Sequence, residues 1–350
     1  MISEQMLDFL RTKMSVTEIV DSPVAPKVRG TLHEPVQATI ADIREYCSRA
    51  GFTPLFGEEG GHHVVQIAVF RKPGEGSRYW LNILLFFATI LSTMLAGSLN
   101  SGGNPFTSVS DLLLGVPFSL SIMAILTCHE LGHYFMSRRE GMVTTLPYFI
   151  PVPFHFLGTF GAVIRMKSIV PSRSSLLRVG MSGPVAGFIV AVPICLLGIS
   201  LSTVAPSVGA EGMLKLGDSL LFWLLARIVQ PNIPAGSDLF LHPVAFAGWL
   251  GLFVTSMNLI PIGQLDGGHV SFAMFGRKRR YLYIPIFGAL LALGLLWLGW
   301  YFWVILAFFI ARRDPVIQDS LTPLSLRERV YGIIPLIILI LTFVPQPFVI

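Results

Sequence analysis

Residues 112–137 read LLLGVPFSLSIMAILTCHELGHYFMS, and this stretch decides the fold. It is long and apolar enough to be a membrane-spanning helix, which needs about 20 such residues. Yet it holds His129, Glu130 and His133. An ionisable side chain at membrane depth is costly and marks a functional site by default. On a helix, residues four apart share a face, with about 5–6 Å between Cβ atoms. His129 and His133 can therefore bind one metal ion. Glu130, next to the first of them, is placed to take a proton from a zinc-bound water. The bland alternative is a buried hydrogen-bond patch between helices.

The rest of the chain agrees with a membrane setting. Of 350 residues 53% are hydrophobic and only 13% charged; the mean hydropathy is +0.68. This excludes an ordinary soluble enzyme and a disordered chain. A net charge of +5 is too sparse for a surface that tracks nucleic-acid phosphates. Three cysteines (Cys47, Cys128 and Cys195) form no disulfide framework.

Further apolar spans are expected at Tyr79–Gly97, Val179–Ser202, Val244–Pro261 and, shorter, Tyr331–Val344. Leu220–Val229 is too short to span and reads as interfacial. Tyr281–Ile310 is a 30-residue run. Basic residues stand before the first span (Arg71, Lys72, Arg78), after the second (Arg138, Arg139) and after the fourth (Arg277, Lys278, Arg279, Arg280). Arg312 and Arg313 follow the long run. The positive-inside rule puts all these clusters in the cytoplasm. The long run must then cross twice as a helical hairpin, with one long tilted helix as the alternative. The expected fold is mainly α: a polytopic bundle of about six to seven spans. Arg277–Arg280 is read as a topology signal that contacts anionic lipid.

Residues 1–75 are polar and read as a small cytoplasmic α+β accessory domain; residues 76–350 form the transmembrane domain. A helix is expected at Gln37–Ala50, and strands at Phe52–Glu58 and His63–Arg71. His62 and His63 are expected to be exposed. The chain start shows no secretory pattern, which fits a prokaryotic inner membrane with the N-terminus in the cytoplasm.

A catalytic zinc takes three protein ligands. The other acidic residue deep in an apolar region is Asp266, where Pro261 and Gly267-Gly268 break the helix. Broken backbone at this depth is tolerated only when buried in protein or lining a cavity. His133 and Asp266 each precede a basic cluster, so both fall in the cytoplasmic half of the membrane. His269 is the competing ligand. Cys128 points about 100° away from His129 on the helix and is a poor one.

Between these elements lies Thr144–Lys167, with Pro147, Pro151 and Pro153 and several aromatics. Thr159–Met166, which contains Gly161, is a candidate edge strand for an extended substrate; an interfacial aromatic loop, with His155 solvated, is the alternative. Gly183, Gly187 and Gly198 read as close helix-packing positions.

Three motifs together resemble the site-2 proteases, a family of intramembrane zinc metalloproteases. They are His129-Glu130-x-x-His133, Ser182-Gly183-Pro184-Val185-Ala186-Gly187-Phe188, and Asn258-x-x-Pro261-x-x-x-Leu265-Asp266-Gly267-Gly268. The resemblance implies one Zn2+ bound by His129, His133 and Asp266, Glu130 as general base, and a membrane-embedded strand near Gly161. It implies that Asn258 contacts the substrate backbone or oxyanion; Pro261 and Gly161 join it as candidate substrate-binding residues. The implied partners are a transmembrane protein substrate, the lipid bilayer and a regulator of the N-terminal domain, with no nucleic acid. No PDZ-like insertion is visible: Thr203–Leu241 is too short for one. A metal- or proton-coupled transporter using the same His/Asp cluster is the second functional class. Against it, no internal repeat is evident and Glu130 has no obligatory role.

Overall fold

The computed structural model describes residues 3–20, 22, 25–69, 79–206, 215–311 and 314–349. The chain begins with α1 (Glu4–Lys13), β1 (Met14–Val20), β2 (Lys27–Leu32), α2 (Val36–Arg49), β3 (Thr53–Glu59) and β4 (His62–Ala68). Ser3 caps α1, its Oγ accepting from the Met6 amide, as small polar N-caps do. On α2, Ile40, Ile43 and Cys47 are buried at helical spacing. They meet Met6, Leu10, Val28, Phe56 and Val65 in one apolar core. The β3–β4 turn runs through Gly60 and Gly61, both at positive φ, the backbone a tight hairpin requires. His63 is not simply exposed: its Nδ1 accepts from the Leu32 amide at 3.0 Å.

The membrane part opens with α3 (Tyr79–Asn100) and α4 (Val116–Arg139). It continues through β5 (Tyr148–Pro151), β6 (Thr159–Val163), β7 (Val170–Ser172) and α5 (Arg173–Leu201). After β8 (Thr203–Pro206) and β9 (Lys215–Leu216) come α6 (Leu220–Val229), β10 (Ser237–Phe240), α7 (Pro243–Leu259) and α8 (Asp266–Phe275). The last elements are α9 (Arg280–Leu293), α10 (Gly299–Ile310), β11 (Ile317–Asp319), α11 (Leu326–Tyr331), α12 (Ile334–Thr342) and β12 (Phe348–Val349).

Three stretches are long and apolar enough to cross a membrane: Tyr79–Asn100, Val109–Arg139 and Arg173–Leu201. Their burial is inverted relative to a soluble helix. On α3, Leu84, Phe87 and Leu91 are exposed while Thr89, Ser92 and Thr93 are buried. Helices in lipid pack through small and weakly polar residues and leave bulky apolar ones outside. Thr93 Oγ1 meets Ser119 Oγ of α4 at 2.7 Å. The remaining apolar helices are shorter. The 281–310 run is broken at residues 294–298 into α9 and α10, of about 21 and 18 Å at 1.5 Å per residue. Leu220–Val229 is a half-buried helix, with Phe222 inside and Ile228 outside. Arg71, Lys72, Arg78, Arg312 and Arg313, which carried part of the topology argument, lie outside the described residues. So do the end of the expected His63–Arg71 strand and the 75/76 boundary.

The N-terminal strands do not form a closed sheet. The order is β1-β2-β4-β3-β11-β7, so two strands from beyond residue 76 extend it. Asp319 of β11 is in register with Phe56 of β3 and Ser172 of β7. Ser320 donates to the Phe56 carbonyl through its amide (3.1 Å) and its hydroxyl (2.8 Å). Strand β7 leads directly into α5, so the sheet is joined to the helix that packs on α4.

Below this joint, Arg178 of α5 donates through Nε to Glu140 at 2.7 Å and through Nη1 to Glu328 of α11 at 2.9 Å. Ser174 bonds Glu328, and Ser175 bonds Glu140. The Arg178 guanidinium, helped by the Ser175 hydroxyl, holds the Glu140 carboxyl below the usual glutamate range. A carboxylate with a depressed folded-state pKa stabilises the fold above its unfolded value, about 4.3. That stability is lost as pH falls through the folded value. Thermal melts in detergent should therefore be flat from neutrality to about pH 5 and fall below about pH 4. Glu140→Gln should lower the neutral melting temperature by a few degrees and flatten the acid limb. An unchanged acid limb would remove this pair from the stability balance.

Candidate metal centre

The site sits where α4, α5 and the turn before α8 meet. Helix α4 carries His129, Glu130 and His133 inward, all three buried. Asp266 is the first residue of α8 and follows the turn that leaves α7 at Ile260. The ring atom His129 Nε2 lies 3.2 Å from Asp266 Oδ2. His133 Nε2 lies 3.3 Å from Asp266 Oδ1 and 3.2 Å from His129 Nε2.

His133 Nδ1 is 2.8 Å from the Val179 carbonyl of α5. A carbonyl only accepts, so Nδ1 carries the proton and Nε2 presents its lone pair to the centre. Such a second hydrogen bond is what fixes a metal-ligating histidine.

The donor set fits a metal ion. His129, His133 and Asp266 each offer one ligand atom, all within 4.8 Å of one another. Tetrahedral donors about 2.0–2.1 Å from zinc stand about 3.3–3.4 Å apart, close to the three separations here. Two imidazoles and a carboxylate at this spacing crowd lone pairs together, and a shared cation relieves that. Glu130 is outside this group, as its offset on the helix requires. The Ile164 backbone, just past β6, faces its carboxylate.

Helix α5 comes this close because of its glycines. A Cβ at Gly183 would collide with the His133 ring, and one at Gly187 would lie 3.1 Å from His129 Nδ1. Gly198 meets the backbone of α7 at Ala245 in the same way.

The other expected site residues are placed less centrally. Asn258 is half-buried in the last turn of α7 and, among the described residues, makes no side-chain hydrogen bond. Pro261 is half-buried in the turn that leads to Asp266. Gly161 lies in β6 at φ +90, with open space where a side chain would stand. Strand β6 pairs only with β5 among the described residues, so its other edge carries no strand.

His269 is half-buried on α8, its buried Nδ1 without a partner among the described residues, and it is not in the three-residue group. Cys128 is half-buried and also outside that group. His155 packs between Phe156 and Phe160 in the aromatic loop. The Val179 carbonyl and the Ile164 backbone were missed from sequence, since backbone partners leave no mark in residue type.

The fold is a helical membrane protein in which two buried histidines and one half-buried carboxylate converge as a candidate metal centre. Residues 117–299, just over half of the chain, match the family model of Peptidase family M50, and the chain belongs to that family.

Among curated proteins, the chain is 32% identical over 250 residues to "Probable zinc metalloprotease EGY2, chloroplastic" of Arabidopsis thaliana. That match covers 69% of this chain and 44% of the relative. The protein of the same name in Oryza sativa subsp. indica is 33% identical over 255 residues, 69% of this chain and 45% of that one. "Probable zinc metalloprotease EGY1, chloroplastic" of Arabidopsis thaliana is 31% identical over 239 residues, 66% of this chain and 43% of the relative. These matches therefore span less than half the length of the curated relatives. No solved structure matches.

Proposed function

We propose that this chain is an intramembrane zinc metalloprotease that hydrolyses peptide bonds in or near transmembrane segments of other membrane proteins. The observation that carries the reading is the joining of His129, His133 and Asp266 beside a buried Glu130 within an apolar helix. Family membership and the relatives' printed names support it. Neither points to transport.

In this reading His129 Nε2, His133 Nε2 and the Asp266 carboxylate hold one zinc ion. When bound, zinc makes water nucleophilic near neutral pH and polarises a carbonyl. Glu130 accepts the proton of the attacking water and returns it to the leaving amine. A peptide bond in a membrane helix is masked by its own hydrogen bonds, so the substrate must be extended. The free edge of β6, at Gly161, is placed to pair with such a strand. Asn258 contacts the substrate backbone or the oxyanion, and Pro261 shapes the turn beside it.

The bilayer surrounds about six to seven spans, some completed by the shorter helices. The N-terminal sheet and the basic loops share the cytoplasmic side, and residues 1–75 serve as the accessory domain that binds a regulator. A prokaryotic inner membrane stays an expectation from sequence; the relatives' names place those proteins in chloroplasts.

The test uses the full chain in lipid vesicles with a single-span substrate. Cleavage should stop with a zinc chelator and return with added zinc. Asp266→Ala should lose most of its zinc. Normal zinc content in that variant would move the third ligand to His269, and cleavage that survives chelation would end the metalloprotease reading.

A further inference from the structure

The basic run after α8 contains one residue unlike the rest. Arg277, Lys278 and Arg280 are exposed, as a topology signal needs to be, whereas Arg279 is completely buried. Burying a guanidinium is costly unless it is hydrogen-bonded and paired with an opposite charge. The Arg279 side chain turns back under α8. Its Nη1 donates to the Gly263 carbonyl at 3.0 Å and to the Gly268 carbonyl at 2.6 Å. Its Nη2 donates to Asp314 at 2.9 Å. The guanidinium carbon lies 5.0 Å from the centre of the Phe272 ring and 5.8 Å from that of Tyr283. The Tyr283 hydroxyl in turn accepts from the Gly263 amide at 3.3 Å.

Gly263 lies in the turn before α8 and Gly268 in the first turn of α8, on either side of Asp266. Both carbonyls accept from the same Nη1, and a Cβ on Gly268 would strike the Gly263 oxygen. Two facing carbonyl dipoles repel, and a single cationic nitrogen between them turns that repulsion into a closed loop.

Resting on the zinc site proposed above, we infer that Arg279 is a positioning residue for the metal. It staples the turn before α8 to the first turn of α8 and so holds the Asp266 carboxylate at the two imidazoles. The planar fork of arginine reaches the carbonyls and Asp314 at once, while lysine offers only a point charge.

The direct readout is zinc affinity of the full-length protein in detergent, measured by competition with a chelator. Arg279→Lys keeps the buried charge and should keep the melting profile, yet bind zinc about 10-fold more weakly. Arg279→Met should lose about 100-fold. Both should lower kcat with little change in KM, since the substrate-facing strand is untouched. Arg280→Ala, which touches Asp314 but neither carbonyl, should stay within about twofold of the wild type, as an exposed ion pair has little influence.

If Arg279→Lys folds and binds zinc as tightly as the wild type, the inference is overturned, whatever Arg279→Met does. A wild-type protein that binds zinc but cuts no transmembrane substrate would overturn the proposed function and leave this inference standing.

Discussion

Glu130→Gln should retain one zinc per chain and lose cleavage by about 10²–10⁴-fold, the usual contribution of a general acid–base group. Glutamine has the shape of glutamate but cannot accept a proton from water. Glu130 is not among the three side chains whose ligand atoms converge, so the metal should remain. The two halves of this expectation separate its possible failures. Wild-type cleavage by the variant would remove the general base from the mechanism. Loss of zinc would make Glu130 a ligand and redraw the centre. Elemental analysis and cleavage of a single-span substrate, on the same preparation in vesicles, give both readings.

The second large effect is expected at a residue with no functional group. Gly183→Ala adds one methyl where the His133 ring stands. The ring has nowhere to retreat, because His133 is buried and its Nδ1 is tied to the Val179 carbonyl. Overpacking of this kind costs about 1–3 kcal/mol, which the bundle should survive. The displaced imidazole should still weaken zinc binding and lower cleavage by about 10²-fold, as misplacement by about 1 Å can do. Gly187→Ala is the graded comparison. Its methyl would lie 3.1 Å from His129 Nδ1, and a shift of a few tenths of an ångström accommodates it. Its loss should be well under that of Gly183→Ala. Equal and small losses at both positions would show that α5 can move away, and that these glycines serve packing alone.

What could be read in the sequence followed from strong, local signals. A charged trio inside an apolar helix stands out because the bilayer penalises it. The shared distance of His133 and Asp266 from basic clusters put them at one depth before any contact was known, and the structure places them 3.3 Å apart. Charge on both flanks of the 281–310 run led to the expectation of a helical hairpin, and the structure has two helices there, α9 and α10.

Strands β7 and β11 were not legible. Each is three residues long, too short for an alternating pattern, and each pairs with partners distant in sequence. They turn an apparently separate N-terminal domain into a sheet continuous with α5. Strands β1 and β2 were also unread, although the β3–β4 hairpin beside them was seen through its Gly60-Gly61 turn. Arg279 was hidden by its neighbours: four basic residues in a row look alike until burial separates one of them.

The most direct test of the central claim is X-ray absorption at the zinc edge on the purified full-length protein. The expected spectrum has one zinc per chain, ringed only by nitrogen and oxygen at about 2.0–2.2 Å, with the outer-shell signature of two imidazoles. A sulfur shell near 2.3 Å would bring Cys128 into the centre, and a single imidazole would break the pairing of His129 with His133. Either result would contradict a site built from His129, His133 and Asp266.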